Sequence, residues 1–256
     1  MKKTVLITGS TSGIGKGIAI GFATLGYNII FNGLEFNGAD IAKEIAETHK
    51  VDYQFSPANM LDPEALRTMV AEGIARFGRI DILINNAGIQ FVSPIETFPE
   101  EKWNAILGIN LTAPFLLTKA VWPSMKQHQF GRIINISSAH GLVASEFKSA
   151  YVASKHGING FTKTIALEGA PFNITCNSVC PGYVHTPIID NQIADQMKAN
   201  SMSADEVIKK VMLAKQAIKE FIPVELIVKS VLFLASDDAR AITGISLPVE
   251  GGWTAQ

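Results

Sequence analysis

Short apolar runs alternate with longer segments of helical periodicity along almost the whole chain. Runs such as 80–84 and 132–136 are almost continuously apolar, which is typical of parallel strands that helices cover on both faces. Strands are predicted at Thr4–Thr8, Asn28–Asn32, Asp52–Ser56, Ile80–Asn85, Gly131–Ser137, Ile174–Cys180 and Ser246–Val249. Helices are predicted at Ile14–Leu25, Gly38–Thr48, Pro63–Phe77, Glu100–Lys126, Ser149–Glu168 and Pro223–Leu234. Repeated β-α-β units with right-handed crossovers predict an α/β fold, with one doubly wound parallel sheet of seven strands in a single domain over 1–256.

The segment 186–221 interrupts this alternation, because it holds helix-like pieces and no strand. It follows the sixth strand, and an insertion after the carboxyl end of a strand overhangs the ligand crevice of an open α/β sheet. We therefore predict a small helical lid that closes over a ligand and excludes water. A surface excursion packed on the sheet is the alternative. Pro114 lies inside the long fourth helix, where we expect an interruption.

Composition narrows the class of protein. The chain has 256 residues, 47% of them hydrophobic, and a net charge of -1. This suits one large core and gives no reason to expect nucleic acid or an anionic membrane surface as a partner. We expect no segment long and apolar enough to cross a bilayer, and the apolar run after the N-terminal lysines is too short for a signal peptide.

The cysteines and histidines indicate neither a disulfide nor a metal. Cys176 and Cys180 lie about 13 Å apart if they share a strand, which is too far for a disulfide. We expect two buried free thiols in a cytoplasmic protein. The five histidines form no cluster with ligand spacing, so no metal is predicted.

A glycine-rich turn joins the first strand to the first helix. Glycines let the backbone turn sharply and approach a pyrophosphate, whose charge the helix N-terminus favours. The spacing of Gly9, Gly13 and Gly15 departs from the common G-x-G-x-x-G pattern. The prediction of a pyrophosphate-binding turn therefore depends on the position of this turn within a β-α-β unit. The predicted contacts in this turn are Gly9, Thr11, Ser12, Gly13, Ile14 and Gly15.

Charge after the second strand predicts NAD as the cofactor. NADP requires a cation for its 2′-phosphate, and neither the glycine-rich turn nor residues 32–35 supply one. Glu35 would repel that phosphate if it pointed inward, and a solvated loop charge is the alternative. Leu34 is predicted to pack near the adenosine.

Tyr151 and Lys155 are four residues apart in a predicted helix, so they share one face. A tyrosine has a pKa of about 10 in water, and a neighbouring cation favours the phenolate. We therefore expect Lys155 to lower the pKa of Tyr151 toward working pH, where the phenol can exchange a proton. A packed tyrosine beside a solvated lysine is the commoner explanation of this pair alone. Ser138 ends a strand and would donate a second hydrogen bond to a reacting oxygen.

Taken together, these motifs resemble those of the short-chain dehydrogenase/reductase family over essentially the whole chain. The matching residues are Thr8–Gly15, Asn85–Gly88, Asn110, Ser138, Tyr151, Lys155, Pro181 and Gly182. The resemblance implies a Rossmann fold, a nicotinamide cofactor and usually a homotetramer. It implies that Tyr151 exchanges the proton as hydride moves, Lys155 holds the nicotinamide ribose and Asn110 holds a water. It adds cofactor contacts at Asn59, Met60, Asn86, Ala87, Gly88, Pro181, Gly182, Val184 and Thr186.

Gln90, His140 and Lys148 stand where a substrate pocket of this family would lie. An amide, an imidazole and a cation together suit one small anion, although each residue alone is equally well a loop residue. Family members that act on (R)-3-hydroxybutyrate hold its carboxylate with these residue types at matching positions. The resemblance thus implies reversible NAD-dependent oxidation of (R)-3-hydroxybutyrate to acetoacetate. The predicted substrate contacts are Gln90, Ser138, His140, Lys148, Tyr151, Tyr183, Gln192 and Trp253. Tyr183 stands where the resemblance leads us to expect a tryptophan. Trp253 would come from the same subunit or from a neighbouring one.

Other functions remain open at this stage. A 3-oxoacyl carrier-protein reductase or a sugar or polyol dehydrogenase would share the fold and the reaction centre. A dinucleotide sensor without turnover is the alternative from another class, and it should have lost part of the Ser138, Tyr151 and Lys155 set.

Overall fold

The computed structural model describes residues 2–184, Ile193, Met197 and 202–255. Within that part of the chain, seven parallel strands form one sheet in the order β3-β2-β1-β4-β5-β6-β7. The strands are β1 (Thr4–Ile7), β2 (Asn28–Asn32), β3 (Tyr53–Ser56), β4 (Ile82–Asn85), β5 (Gly131–Ile136), β6 (Ile174–Pro181) and β7 (Ser246–Val249). The predicted doubly wound Rossmann fold is confirmed.

Helices cover both faces of the sheet. They are α1 (Gly13–Thr24), α2 (Gly38–His49), α3 (Pro63–Phe77), α4 (Glu100–Leu107), α5 (Ala113–Gln127), α6 (Ser149–Gly169) and α7 (Val224–Ala235). Successive residues of a strand point into the hydrophobic cores on opposite faces of the sheet. Val5 and Ile7 pack with α1, α2 and α7, whereas Leu6 packs with α3 and α5. Burial of both faces of each central strand accounts for the predominantly apolar strands β1 and β4.

The helix predicted over Glu100–Lys126 is interrupted, as expected from Pro114. A π-helical turn over Gly108–Thr112 separates α4 from α5. Pro114 follows this turn and has no N–H to donate to the carbonyl of Asn110, four residues earlier. The expected interruption at Pro114 is therefore a π-helical turn, which carries the buried Asn110.

The sequence analysis expects no segment that is long and apolar enough to cross a membrane. One helical run meets that criterion by length and composition, so the expectation is wrong in that limited sense. The helical run Glu100–Gln127 is 28 residues long and reaches a mean hydropathy of 1.4. In this structure Leu117, Val121 and Met125 of that run are buried in the core between α5, α3 and the sheet. A sheet-covering helix of a folded domain meets the same criterion.

The segment predicted as a lid is described only in part. A capping box at Ser203 begins a short helical stretch, Ala204–Glu206, which continues as a π-helical turn over Val207–Met212. Val207 and Met212 pack near Tyr183, which anchors this stretch beside the end of β6. Residues 186–192, 194–196 and 198–201 lie outside the described residues, and closure of a lid stays a prediction.

Cys176 and Cys180 both lie in β6 and are buried and unpaired, as expected. Burial raises the pKa of Cys176 to about 12, so this thiol stays protonated.

Candidate active site

A cleft of about 1140 Å³ follows the carboxyl ends of the strands. It spans the position where β1 lies beside β4 and the strand order reverses, which is where open α/β sheets bind ligands. The predicted site residues that line it are Gly9, Ser12, Gly13, Ile14, Gly15, Leu34, Asn59, Met60, Asn86, Ala87, Gly88, Gln90, Ser138, His140, Lys148, Tyr151, Lys155, Pro181, Gly182, Tyr183, Val184 and Trp253. Thr11 and Asn110 do not line it, and Thr186 and Gln192 lie outside the described residues.

The glycine-rich turn requires glycine at specific positions. Gly9 and Gly13 have φ of +60° and +51°, which side chains with a Cβ rarely adopt. A Cβ on Gly15 would collide with the carbonyl oxygen of Gly9 and lie 2.5 Å from Nδ2 of Asn86. The turn is therefore packed closely, with the free N–H groups of α1 available to a pyrophosphate.

Asn86 braces this turn. Its Nδ2 donates to the carbonyls of Thr8 at 2.8 Å and Gly9 at 3.0 Å. The Thr8 hydroxyl in turn accepts from the N–H groups of Asn86 and Ala87, both at 2.9 Å. The segment after β4 thus fixes the turn after β1 through its side chain and its backbone.

Glu35 points toward the glycine-rich turn. Its carboxylate accepts hydrogen bonds from the hydroxyls of Thr11 and Ser12, the latter at 2.9 Å. Burial acts to raise the pKa of Glu35, but the hydrogen bonds outweigh it and the pKa lies below its usual value. Glu35 is exposed and therefore solvated, and its carboxylate is also held beside the glycine-rich turn at the nucleotide end of the cleft. Thr11 holds Glu35 here and does not face the cleft.

Asn32 is a site residue that the sequence analysis did not single out. Its Oδ1 accepts from the Gly9 N–H at 3.2 Å, and its Nδ2 donates to the carbonyls of Ser56 at 3.1 Å and Ala58 at 2.9 Å. It therefore joins the carboxyl ends of β1, β2 and β3. An asparagine that ends an apolar strand was the available signal.

Tyr151 and Lys155 share one face of α6, as predicted. The Lys155 ammonium lies 5.6 Å from the Tyr151 ring centroid and donates to the Ile136 carbonyl at 2.7 Å. Burial lowers the pKa of Lys155 to about 8, with a small opposing effect of Cys180. This lysine is therefore a buried cation that titrates near working pH.

The expected lowering of the Tyr151 pKa is wrong in this structure. Burial raises it, the hydrogen bond with Ser138 opposes this, and Tyr183 raises it further. The reason is geometric, because the Lys155 ammonium is engaged by the Ile136 carbonyl rather than by the phenol. The Ser138 hydroxyl also accepts a hydrogen bond from the His140 N–H at 3.2 Å. This one hydroxyl therefore links the Tyr151 phenol to the backbone at His140.

Asn110 holds the loop that leads to Gln90. Its Oδ1 accepts from the Ile89 N–H at 2.9 Å, and its Nδ2 donates to the Ile89 carbonyl at 2.9 Å and the Ser154 hydroxyl at 3.1 Å. The amide thus ties the π-helical turn to α6 and to the loop after β4. Its predicted contact with a water stays a prediction.

Three rings form an aromatic wall at the substrate end, namely His140, Tyr183 and Trp253. Trp253 stacks on Tyr183 at 5.7 Å between centroids and meets His140 edge-on at 5.0 Å. His140 in turn meets Tyr151 edge-on at 5.9 Å. Trp253 is buried and reaches the site of its own chain.

The ionisable side chains at the substrate end of the cleft, apart from its tyrosines, are basic ones. Burial lowers the pKa of His140 to about 4, with further lowering by Lys148 and Lys215, so the imidazole is neutral near pH 7. Burial and Lys215 also lower the pKa of Lys148. Among the described residues that line the cleft, Glu35 alone carries a carboxylate, and it lies at the nucleotide end. Lys215 was missed because it comes from the helical insertion, far in sequence from the motifs.

No group of three or more His, Cys, Asp or Glu side chains arranged for a metal ion occurs among the described residues.

Comparison with known proteins identifies the class. Residues 3–197 match the short chain dehydrogenase family. The chain is 50% identical to D-beta-hydroxybutyrate dehydrogenase of Rhizobium meliloti, with all of both chains covered. It is 45% identical to the enzyme of the same name from Cupriavidus necator, with 99% of this chain and 98% of that one covered.

Solved structures agree with this assignment. A variant of actinorhodin polyketide ketoreductase with NADPH is similar with a TM-score of 0.93 and 31% identity, covering 100% of this chain and 98% of that one. NAD+-bound xylitol dehydrogenase is similar with a TM-score of 0.90 and 30% identity, covering 98% of each. The chain belongs to the short-chain dehydrogenase/reductase family. It is an oxidoreductase with a nicotinamide dinucleotide as cofactor, and the sensor alternative is set aside.

Proposed function

We propose that the chain catalyses the reversible, NAD-dependent oxidation of (R)-3-hydroxybutyrate to acetoacetate. The observation that carries this proposal is Lys148 beside the neutral His140, at the end of the cleft that adjoins Tyr151. The two curated relatives described above support it through their names and full-length similarity. A sugar or polyol pocket would require neutral donors where Lys148 stands.

The proposed pocket separates the two ends of a small hydroxy acid. Lys148 would bind the carboxylate as a charge-assisted donor, with Gln90 and His140 adding neutral polar contacts. Trp253 and Tyr183 would face the methyl end, since their stacked rings form an apolar wall. The substrate hydroxyl would then lie toward Tyr151 and Ser138.

Proton transfer falls to Tyr151 in this proposal. During oxidation the phenolate would take the hydroxyl proton, and during reduction the phenol would return it. Ser138 hydrogen-bonds Tyr151 and would also donate to the reacting oxygen. When bound, oxidised nicotinamide supplies the hydride acceptor and a positive charge that favours the phenolate over the raised pKa set by burial. Lys155 would hold the nicotinamide ribose, and Asn110 would hold a water.

The preference for NAD over NADP rests on Glu35. Its carboxylate is held at the turn by Thr11 and Ser12, where a ribose 2′-hydroxyl would find an acceptor. A 2′-phosphate at this place would meet a negative charge. The residues that would hold the dinucleotide fit it, because a Cβ on Gly15 would collide with the Gly9 carbonyl and the N-terminus of α1 lines the cleft.

We also propose a homotetrameric assembly and a cytoplasmic location, which other features support. Phe115 on α5 and Leu167 on α6 are exposed at 45% and 77%, and Phe115 meets Phe161 edge-on. Such apolar faces fit the homotetramer that the family resemblance implies. The free thiols fit a reducing cytoplasm. Light scattering on the purified protein tests the assembly, and a monomer would contradict it.

Initial-rate kinetics with NAD+ across short hydroxy acids test the function. We expect (R)-3-hydroxybutyrate to be preferred over its (S) enantiomer and over uncharged secondary alcohols. Lys148→Ala should raise the KM for hydroxybutyrate sharply, whereas Lys163→Ala, an exposed lysine on the same helix, should not. A wild-type preference for an uncharged alcohol would overturn the proposal.

A further inference from the structure

The segment around Gln216 is anchored to the end of β6. Gln216 is fully buried, and its Oε1 accepts from the Tyr183 N–H at 3.2 Å. Its Nε2 donates to the carbonyls of Ile218 at 3.2 Å and Glu220 at 3.0 Å. A buried amide with every bond made to backbone fixes its segment firmly, because breaking any of them leaves a buried polar group unpaired.

The C-terminal turn is locked to the same segment. The Ile218 N–H donates to the Gly251 carbonyl at 2.8 Å, and the Glu250 carboxylate accepts from the Thr254 N–H at 2.9 Å. Gly251 has φ of +68°, and a Cβ there would lie 2.9 Å from Nε2 of Gln216. Trp253 and the residue preceding Gln216 are therefore held in a fixed relation.

That preceding residue is Lys215, whose ammonium lies 5.9 Å from the ring centroid of Trp253. This is within the range of a cation–π contact. The same indole meets His140 edge-on at 5.0 Å. The positive charge of Lys215 is thus one aromatic ring away from the substrate end of the cleft.

The two lysines act on the same region from different elements, Lys148 from the start of α6 and Lys215 from the insertion. Lys215 lowers the pKa of both Lys148 and His140, and Lys148 lowers that of His140 further. A substrate anion beside Lys148 would oppose this effect, because its negative charge favours the charged form of Lys148.

We propose that Lys215 is a specificity-determining residue that, from its position beside Trp253, favours an anionic hydroxy acid over an uncharged one. This inference rests on the proposed function. Lys215 acts through its charge and through the indole, and it makes no direct contact with the reacting atoms.

The test is the ratio of kcat/KM for (R)-3-hydroxybutyrate to kcat/KM for its uncharged amide, measured with NAD+. Lys215→Met keeps an unbranched apolar stem and removes the charge. We expect it to raise the KM for the acid about threefold to fivefold, as for other exposed charge interactions, with kcat almost unchanged. The KM for the amide should not change, Lys215→Arg should resemble the wild type, and high salt should shrink the effect.

Lys209→Met is the matched control, because it removes the same charge from an exposed position in the same insertion. An equal rise in KM for the acid in both variants would reduce the effect to net charge and overturn the inference. An equal rise for acid and amide in Lys215→Met would assign the residue to the packing of Trp253, which also overturns it.

The preference for the acid over the amide distinguishes failure of this inference from failure of the proposed function. If the wild type does not prefer the acid over the amide, the proposed function fails and the role of Lys215 fails with it. If the wild type prefers the acid and Lys148→Ala removes that preference while Lys215→Met leaves it unchanged, only the role of Lys215 is wrong.

Discussion

The two ends of one cleft carry opposite charges. At the nucleotide end, Glu35 is fixed beside the glycine-rich turn by Thr11 and Ser12. At the substrate end, Lys148 and Lys215 are cations and His140 is neutral. The difference teaches that the fold supplies a common crevice, whereas under the proposed function a few charged side chains at each end would decide which anion can enter.

The two ends are also built differently. The nucleotide end depends on backbone conformation within one turn, where Gly9, Gly13 and Gly15 are close in sequence. The substrate end brings together side chains from four separate regions of the chain, those of Gln90, His140 with Lys148, Lys215, and Trp253. We therefore expect substitutions at the substrate end to change binding of the acid without altering binding of the cofactor.

The largest effect should come from the group between the two ends. Tyr151→Phe removes the proton-transferring hydroxyl, and we expect kcat to fall about a thousandfold or more. NADH binding, measured by fluorescence titration, should be unchanged because the ring and Lys155 remain. A substantial residual rate would remove Tyr151 from its proposed role.

Reversing the charge at the substrate end should come next. Lys148→Glu makes both ends acidic, and we expect the KM for (R)-3-hydroxybutyrate to rise at least about a hundredfold through loss of a charged contact and added repulsion. The KM for NAD+ should stay near the wild-type value in the same steady-state assay. If the KM for NAD+ rises as much, the two ends are not independent.

Neutralising the nucleotide end should have a smaller effect. Glu35→Gln keeps hydrogen-bonding capacity toward Thr11 and Ser12 but removes the repulsion of a 2′-phosphate, so we expect kcat/KM for NADP+ to rise about tenfold. Asp40→Asn removes an exposed carboxylate from α2 and serves as the control. NADP+ rates that are unaffected by Glu35→Gln would show that another feature selects the cofactor.

The smallest effect concerns the neutral imidazole at the substrate end. Its pKa is about 4 in the folded protein and 6.5 ordinarily, so the unfolded chain binds more protons between these values. The stability associated with neutral His140 is therefore lost as pH falls through that window, by about 1 kcal/mol at pH 5.5. Urea unfolding at pH 7 and pH 5.5 should show this excess loss in the wild type relative to His140→Gln. Equal losses would mean that His140 titrates normally.

Much of the fold was predictable because local pattern and tertiary structure agree. The bounds of β2, β7 and α3 match their predictions, since apolar runs and helical periodicity end there at clear signals such as Asn32 and the Asp62–Pro63 start. The π-helical turn at Gly108–Thr112 was not predictable as such, because Pro114 marks an interruption without specifying its geometry.

The site was predictable wherever a motif states a residue type and a spacing, as for Tyr151 and Lys155. It was less so where a role depends on direction in space. Glu35 could have pointed outward, and only its contacts with Thr11 and Ser12 decide the matter. The pKa of Tyr151 was predicted with the wrong sign because spacing reveals proximity to Lys155 but neither burial nor the Ile136 carbonyl.

The central claim is that one end of the cleft disfavours the 2′-phosphate of NADP, whereas the other end requires the carboxylate of the substrate. It is tested most directly by kcat/KM for the four pairings of NAD+ or NADP+ with (R)-3-hydroxybutyrate or its uncharged amide. The account predicts that NAD+ with the acid exceeds every other pairing, and that changing either partner lowers kcat/KM independently. A higher value with NADP+ or with the amide would contradict it.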